Sequence, residues 1–440
     1  MDSKGKTGEL RTKANKMKKV SIIIPVIRPE KARRCIDAAI QNSGLKTVTD
    51  IEIIDMEDGE RIGCPEMVKK LTKCATHDLV CFLGDDCIPK PDFLINAIHE
   101  MNKFSGEWGV VGLNDGNENM IPTHWLAHKR MLEHLDGEFF HTGYTHCYCD
   151  NELWVRSQQL DRYRFCKSAK IEHDNAVSRG DKIEDEDLKR VYSDTIITHD
   201  RYLYARRKHN NWKTPKATDI KFAIGLPIAG RQNDNQFWLS FMRMHKPDFT
   251  LLTPGIEIYE FGRDIAALRN ALVEQAIDSG CTHLCMMDTD QIYPENTLEK
   301  LCSHGKKVVS APVHSRYPPY DAIMSRKDEN GTTVFIKDEE VYSGKLIPVD
   351  TTGTGCILYD IDVFLNTPQP WYELTQENGR TIGEDVNFCR KLNKIGERIW
   401  VDTSIRIDHL ATLRVNRSVR EIYKAIFDSK QREQNQKDCA

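Results

Sequence analysis

Asp288 and Asp290 stand two residues apart directly after the apolar run Thr282-His-Leu-Cys-Met-Met287. A run of that length and composition reads as a buried strand. In an open α/β sheet, ligands collect at the carboxyl ends of strands, so both carboxylates can face one crevice there. Two hard oxygen donors in such a place suit Mg2+ or Mn2+, and that cation would neutralise a diphosphate leaving group. The spacing alone is weak, because the chain holds 66 acidic residues. Two similar runs are Asp185-Glu-Asp187, inside a charge run, and Asp360-Ile-Asp362, ahead of a helix. Position after a strand favours Asp288 and Asp290 over the competing reading of a structural turn.

Gly353-Thr-Gly355 reads as a turn entering a strand, where glycine lets the backbone approach a ligand; a plain tight turn is the alternative. Gly383-Glu384-Asp385 opens a helix with Val386, Cys389, Leu392 and Ile395 on one face. A carboxylate in a first helical turn is kept ionised by the positive end of the dipole, and an ionised carboxylate is what a general base requires. Simple helix capping would also place an acid here. His409 follows the strand-like Arg398-Ile-Trp-Val401 and reads as a metal ligand, a phosphate contact or a structural histidine.

The elements that would position these groups recur twice. Val20-Ser-Ile-Ile-Ile-Pro25 and Phe222-Ala-Ile-Gly-Leu-Pro227 are strands ended by proline. The spacing predicts helices over 29–42 and 264–279, and strands at Ile51–Ile54 and Leu79–Leu83. The second of these strands runs into Gly84-Asp85-Asp86. Strand–helix alternation in this order predicts an α/β fold with parallel sheets covered by helices on both faces. A basic tail over 1–18 precedes a first domain at 19–212 and a second at 218–412, with a C-terminal helix and tail at 413–440. The polar stretch 203–218 reads as the linker.

At 440 residues two hydrophobic cores are expected. A net charge of −4 excludes a chain that coats nucleic acid or anionic membrane with its whole surface, leaving only the basic tail for such contacts. No apolar run reaches the roughly 18–20 residues of a membrane span. No signal-peptide pattern opens the chain, so a cytosolic protein with reduced thiols is expected. Most of the 14 cysteines, Cys81, Cys281, Cys285, Cys356 and Cys389 among them, sit in apolar runs. His146, Cys147 and Cys149 form the one cluster that looks like a zinc site, but no second paired motif accompanies it.

Taken jointly, Gly262-Arg263-Asp264 through Arg269-Asn270-Ala271-Leu272, Met287-Asp-Thr-Asp-Gln-Ile-Tyr-Pro294, Gly353-Thr-Gly355, Glu384-Asp385 and His409 resemble the family 2 type of GT-A glycosyltransferase over 220–412. The resemblance implies a Rossmann-like nucleotide-diphospho-sugar transferase fold and an inverting transfer. A nucleotide-diphosphate sugar, with UDP-sugar the first guess, would be the donor. Acceptors would be a hydroxyl on a glycan, a protein or a modified base in DNA. It implies that Asp288 and Asp290 hold Mn2+ or Mg2+ and the diphosphate, with His409 completing the shell and Asp385 or Glu384 as base. Pro227, Arg263, Arg269, Asn270, Gly353 and Gly355 would lie along the nucleotide.

The first half resembles the same fold over 19–200, with departures. Pro25, Asp58 and Asp85 would lie against a nucleotide, Asp86 and His173 would hold a cation, and Asp150 or Glu152 would be the base. The leading aspartate of the metal motif is replaced by Gly84, so a second active site and a degenerate domain both stay open. A nucleotidyltransferase and a non-catalytic scaffold are the rival classes. The first should carry a Gly-rich phosphate loop, of which Pro227-Ile-Ala-Gly-Arg231 is a poor version.

Overall fold

The computed structural model describes residues 18–45, 50–116, 119–174, 182–216, 218–228, 234–254, 264–411 and 416–426. Residues 1–17 of the predicted basic tail, and Arg263, lie outside the described residues. Two compact units divide between Pro215 and Lys216. Each is an α/β unit built on one seven-stranded sheet, Rossmann-like in its opening parallel strands.

In the first unit β1 (Val20–Val26) pairs in parallel with β2 (Ile51–Glu57) and β3 (Leu79–Phe82). The strands β4 (Cys87–Pro89), β5 (Val110–Asn114), β6 (Trp125–His128) and β7 (Tyr163–His173) complete the order β2-β1-β3-β6-β5-β7-β4. Helices α1 (Pro29–Gln41), α2 (Cys64–Cys74) and α3 (Phe93–Met101) bury one face each, and α4 (Cys149–Gln159) follows later in the chain. Apolar clusters lie on both faces of the sheet: Ile22, Ile24 and Cys35 belong to one, Ile23, Val80 and Trp125 to the other. That division follows from the alternation of a pleated strand.

The second unit repeats the opening. β8 (Phe222–Gly225) lies parallel to β9 (Phe249–Leu252) and β10 (His283–Met287). Asp264 caps the helix Ile265–Asp278 by accepting from the Ala266 amide. The sheet is completed by strands Val308–Ser310, Leu346–Val349, Cys356–Asp360 and Ile399–Asp402. The parallel pairing expected from the sequence holds for the opening strands, and each sheet also takes in antiparallel strands. β6 runs antiparallel to β3 and β5, and Cys356–Asp360 runs antiparallel to β10 and Val308–Ser310. A strand that arrives without the usual crossover helix enters with the opposite sense.

The polar stretch read as a linker also needs correction. Residues 203–209 are the last turns of the helix Asp194–His209, and Arg207 is fully buried. Its guanidinium donates from Nε and Nη2 to the two Glu152 oxygens, both at 2.7 Å. Arg156 and the Tyr144 hydroxyl donate to the same carboxylate. A charge-assisted fork of this kind needs both partners. Arg207→Ala leaves Glu152 buried without its main partner, and the expected loss is about 3–5 kcal/mol of unfolding free energy by urea denaturation. Lysine at 207, which cannot form the fork, recovers only part of it.

Candidate functional site

β10 delivers Asp288 and Asp290 to its carboxyl end, where the Asp288 amide donates to the Gly355 carbonyl at 2.9 Å. A two-residue strand, Asp408–His409, pairs antiparallel with Gln291-Ile292 and sets His409 beside Asp290. His409 Nε2 lies 3.4 Å from Asp290 Oδ2, and the Leu410 amide donates to the Asp290 carbonyl at 2.8 Å. His409 Nδ1 meets the His314 carbonyl at 2.6 Å, which directs Nε2 at the aspartate. Burial alone would lower the His409 pKa, but the Asp290 carboxylate and the His314 carbonyl raise it. Asp290 is shifted down: burial opposes this, and His409 with Arg316 outweighs it.

Arg316 donates from Nη1 to Asp290 Oδ2 at 2.9 Å. Sequence reasoning missed this residue, since an arginine in a loop carries no spacing signal. The other oxygen, Asp290 Oδ1, is buried and has no hydrogen-bond partner among the described residues. An anionic oxygen of that kind, next to an imidazole nitrogen, fits a divalent cation. A cavity of about 550 Å3 adjoins His409 and has Tyr320, Tyr342 and Arg406 in its walls.

Arg269 is buried and bridges the site from inside. Its Nη2 donates to both Asp288 oxygens at 3.0 and 3.2 Å, Nε reaches Glu384 Oε1 at 3.3 Å, and Nη1 reaches the Thr354 carbonyl at 3.4 Å. Arg269, expected along the nucleotide, thus has its guanidinium among protein carboxylates and a carbonyl. Asn270, expected there too, exchanges hydrogen bonds through its side-chain amide with the Tyr372 backbone at 2.8 and 3.0 Å.

Glu384 and Asp385 open the helix Glu384–Lys394. Only Glu384 is held by Arg269, and Asp385 accepts from the Val386 amide at 2.7 Å. The dipole argument for an ionised Asp385 loses to burial, which raises its pKa, with the Glu384 charge adding to the rise. Gly383 leaves room for this carboxylate: a Cβ there would stand 2.7 Å from Asp385 Oδ1. A Cβ on Gly355 would fall 2.1 Å from Nε2 of the fully buried Gln291, and one on Gly353 would make ordinary contacts with Val313 and Ile323. Pro227 is buried at the end of the β8 segment.

In the first unit, Pro25, Asp58, Asp85, Asp86, Asp150 and His173 all line one cavity of about 320 Å3. Three of the carboxylates there are committed to protein. Asp58 accepts from the Ile62 and Gly63 amides, Asp85 from the Ile27 and Arg28 amides, and Asp86 pairs with Arg28 and with His173. Asp150 sits at the start of α4, and burial raises its pKa. Glu152 as a base is corrected by its place in the Arg207 fork. In the run His146–Cys149 it is backbone amides that converge, those of Thr145, His146 and Cys147 donating to Asp200.

No sequence-defined family matches the chain, and no curated protein does. Among solved structures it is similar to a mannosyltransferase from Pyrobaculum calidifontis in complex with GDP-Man and Mn2+, at 13% identity and a TM-score of 0.34, over 46% of this chain and 67% of that one. It is also similar to glucosyl-3-phosphoglycerate synthase from Mycobacterium tuberculosis with Mn2+, UDP-Glc and phosphoglyceric acid, at 14% identity and a TM-score of 0.32, over 46% and 82%. A third is A197 from STIV, at 16% identity and a TM-score of 0.30, over 45% and 97%. No helix among the described residues is long and apolar enough to cross a membrane.

The Gly355–Gln291 contact gives a direct test of the packing. Gly355→Ala is expected to cost about 1–3 kcal/mol by urea denaturation. Adding Gln291→Ala removes the clash, so the double variant should lose clearly less than the sum of the two single losses.

Proposed function

We propose that the second unit is a GT-A glycosyltransferase, transferring a sugar from a nucleotide-diphosphate donor, first guess a UDP-sugar, to an acceptor hydroxyl. The observation that supports this best is the buried, unpartnered Asp290 Oδ1, beside His409 and at the tip of the strand that also carries Asp288. Asp288, Asp290 and His409 are the residues that would hold Mn2+ or Mg2+. When bound, that cation supplies neutralisation of the charge developing on the diphosphate. The imidazole proton and the cation compete for the same His409 nitrogen, so the ring binds metal in its neutral form.

The chain's own groups divide the remaining work. Arg316, on the solvent side of Asp290, adds a second positive charge for the leaving phosphate oxygens. Asp385 takes the proton of the acceptor hydroxyl as its oxygen bonds to the anomeric carbon and the sugar–phosphate bond breaks. This single displacement inverts the anomeric configuration. Glu384, tied to Arg269, stays the fixed partner of that pair. The acceptor, a glycan, a protein or a modified DNA base, would have to present its hydroxyl within hydrogen-bond reach of Asp385.

Donor turnover measured in Mn2+ should disappear with EDTA and return on adding Mn2+. Asp290→Ala should remove the metal dependence together with the turnover; unchanged activity in that variant would falsify the assignment. Asp385→Asn should lower kcat by about 10²–10⁴-fold. Because the Asp385 pKa is raised and the base must be ionised, activity falls as pH drops through that value. The acid limb of kcat/KM should therefore lie above the ~3.9 of an ordinary aspartate.

A further inference from the structure

The two units correspond in strand register at their sites. Ile23 faces Phe82 in the first and Gly225 faces Met286 in the second, which aligns Pro25 with Pro227 and Gly84 with Asp288. The Asp174 amide donates to the Asp86 carbonyl as the Leu410 amide donates to the Asp290 carbonyl. Asp86 thus corresponds to Asp290 and His173 to His409. The strand partner of His409 is Gln291, and the strand partner of His173 is Cys87. The Leu113 amide donates to the His124 carbonyl as the Ala311 amide donates to the Cys356 carbonyl, so His124 stands where the second unit has Cys356. The first unit has lost one aspartate and gained a thiol and an imidazole around the same point.

These groups converge. One ligand atom each from Cys87, His124 and His173 lie within 4.8 Å of one another. Cys87 Sγ is 2.8 Å from His124 Nε2, and the two imidazole rings meet edge to face at 4.8 Å between centroids. Asp86 Oδ1 lies 3.3 Å from His173 Nε2. Two ligands at roughly 2.0–2.1 Å from a tetrahedral zinc stand about 3.3–3.4 Å apart. Behind His124, the Asp115 carboxylate faces Nδ1 at 3.7 Å and is itself held by the Thr123 hydroxyl at 2.8 Å, the arrangement of a carboxylate supporting a metal-bound imidazole. The missing side chain of Gly84 leaves a hollow among these atoms: a Cβ there would stand 3.0 Å from Asp86 Oδ1, 3.4 Å from His124 Nε2 and 3.5 Å from Cys87 Sγ.

We infer that the first unit binds a zinc-class cation through Cys87, His124 and His173, with Asp86 as the fourth ligand. Thiolate and imidazole select Zn2+ over the Mg2+ or Mn2+ that all-oxygen sites prefer. The site ties β4, β6 and β7 together at the wall of the 320 Å3 cavity, to which His124, His173 and Asp86 contribute. A nucleophilic role for the Cys87–His124 pair fails on access, because Cys87 is fully buried and absent from the cavity wall. The inference does not rest on sugar transfer by the second unit.

The test is a Co2+ titration of the full chain after chelation. The first equivalent should produce a thiolate-to-cobalt charge-transfer band and the intense visible absorption of a four-coordinate centre, both displaced by Zn2+ and not by Mg2+. Cys87→Ala should lose the charge-transfer band, and Gly84→Ala should lose both signals with every ligand in place. Cys81→Ala, a buried neighbour, should keep them. No band in the wild-type chain, or an unchanged band in Cys87→Ala, overturns the inference. Should the variants fail to fold by circular dichroism, zinc-edge X-ray absorption of the wild-type chain decides. One sulfur with nitrogen and oxygen neighbours supports the site, and a shell with no sulfur or with several overturns it. Donor turnover by the second unit is read separately, so either result can stand without the other.

Discussion

The buried guanidinium of Arg269 is the constraint on which the second unit's site depends. A charge this far from water is tolerated only where anions and carbonyls surround it, and here Asp288, Glu384 and the Thr354 carbonyl do so. One cation thus joins the strand tip that carries Asp288, the helix start that carries Glu384 and the turn before Cys356–Asp360. Its pKa is held up by those carboxylates against the cost of burial. Two consecutive acids have different surroundings as a result. Glu384 is ion-paired with the guanidinium, while burial and the Glu384 charge raise the Asp385 pKa.

Much of this was legible in the sequence. The strands β1, β3, β8 and β10 are continuous apolar runs, and the helix Ile265–Asp278 has a capping aspartate and the helical period; signals of that strength survive any tertiary context. That Asp288 and Asp290 stand at a strand tip was legible because they follow such a run. The unforeseen parts depend on contacts between distant positions. Asp408–His409 is two residues long, and only its pairing with Gln291-Ile292 makes it a strand. Arg269 and Asn270 sit on a helix whose outward or inward aim no local pattern states. Arg207 and Glu152 hide a buried fork inside polar stretches, because a paired charge and a solvated one read alike. Gly355 was understood as room for a ligand when its neighbour is Gln291.

The cysteines show the same limit from the other side. Cys147 and Cys149 stand out because they are close in sequence, yet what that stretch aligns on Asp200 is the backbone amides of Thr145, His146 and Cys147. Cys87 and His173 come from two strands of one sheet and His124 from the residue just before a third, and they share no spacing. Strand register, not sequence interval, is what brings ligand atoms together in a sheet.

Comparing the two units shows how little must change to alter what one scaffold point prefers. Asp288 brings a second hard carboxylate to its strand tip, where Arg269 pairs with it. With glycine at the matching position 84, that second anion is gone and a hollow remains, and the nearest groups around it are a carboxylate, an imidazole and a thiol. Hard oxygen donors in a partly exposed crevice bind a cation that exchanges readily and can serve a departing diphosphate. Sulfur and nitrogen donors in a buried pocket bind more tightly and leave fewer open positions. On the readings proposed for the two units, the duplicated fold would keep its exchangeable, reactive centre where Asp288 is present. The copy with Gly84 would use its metal to hold three strands in place.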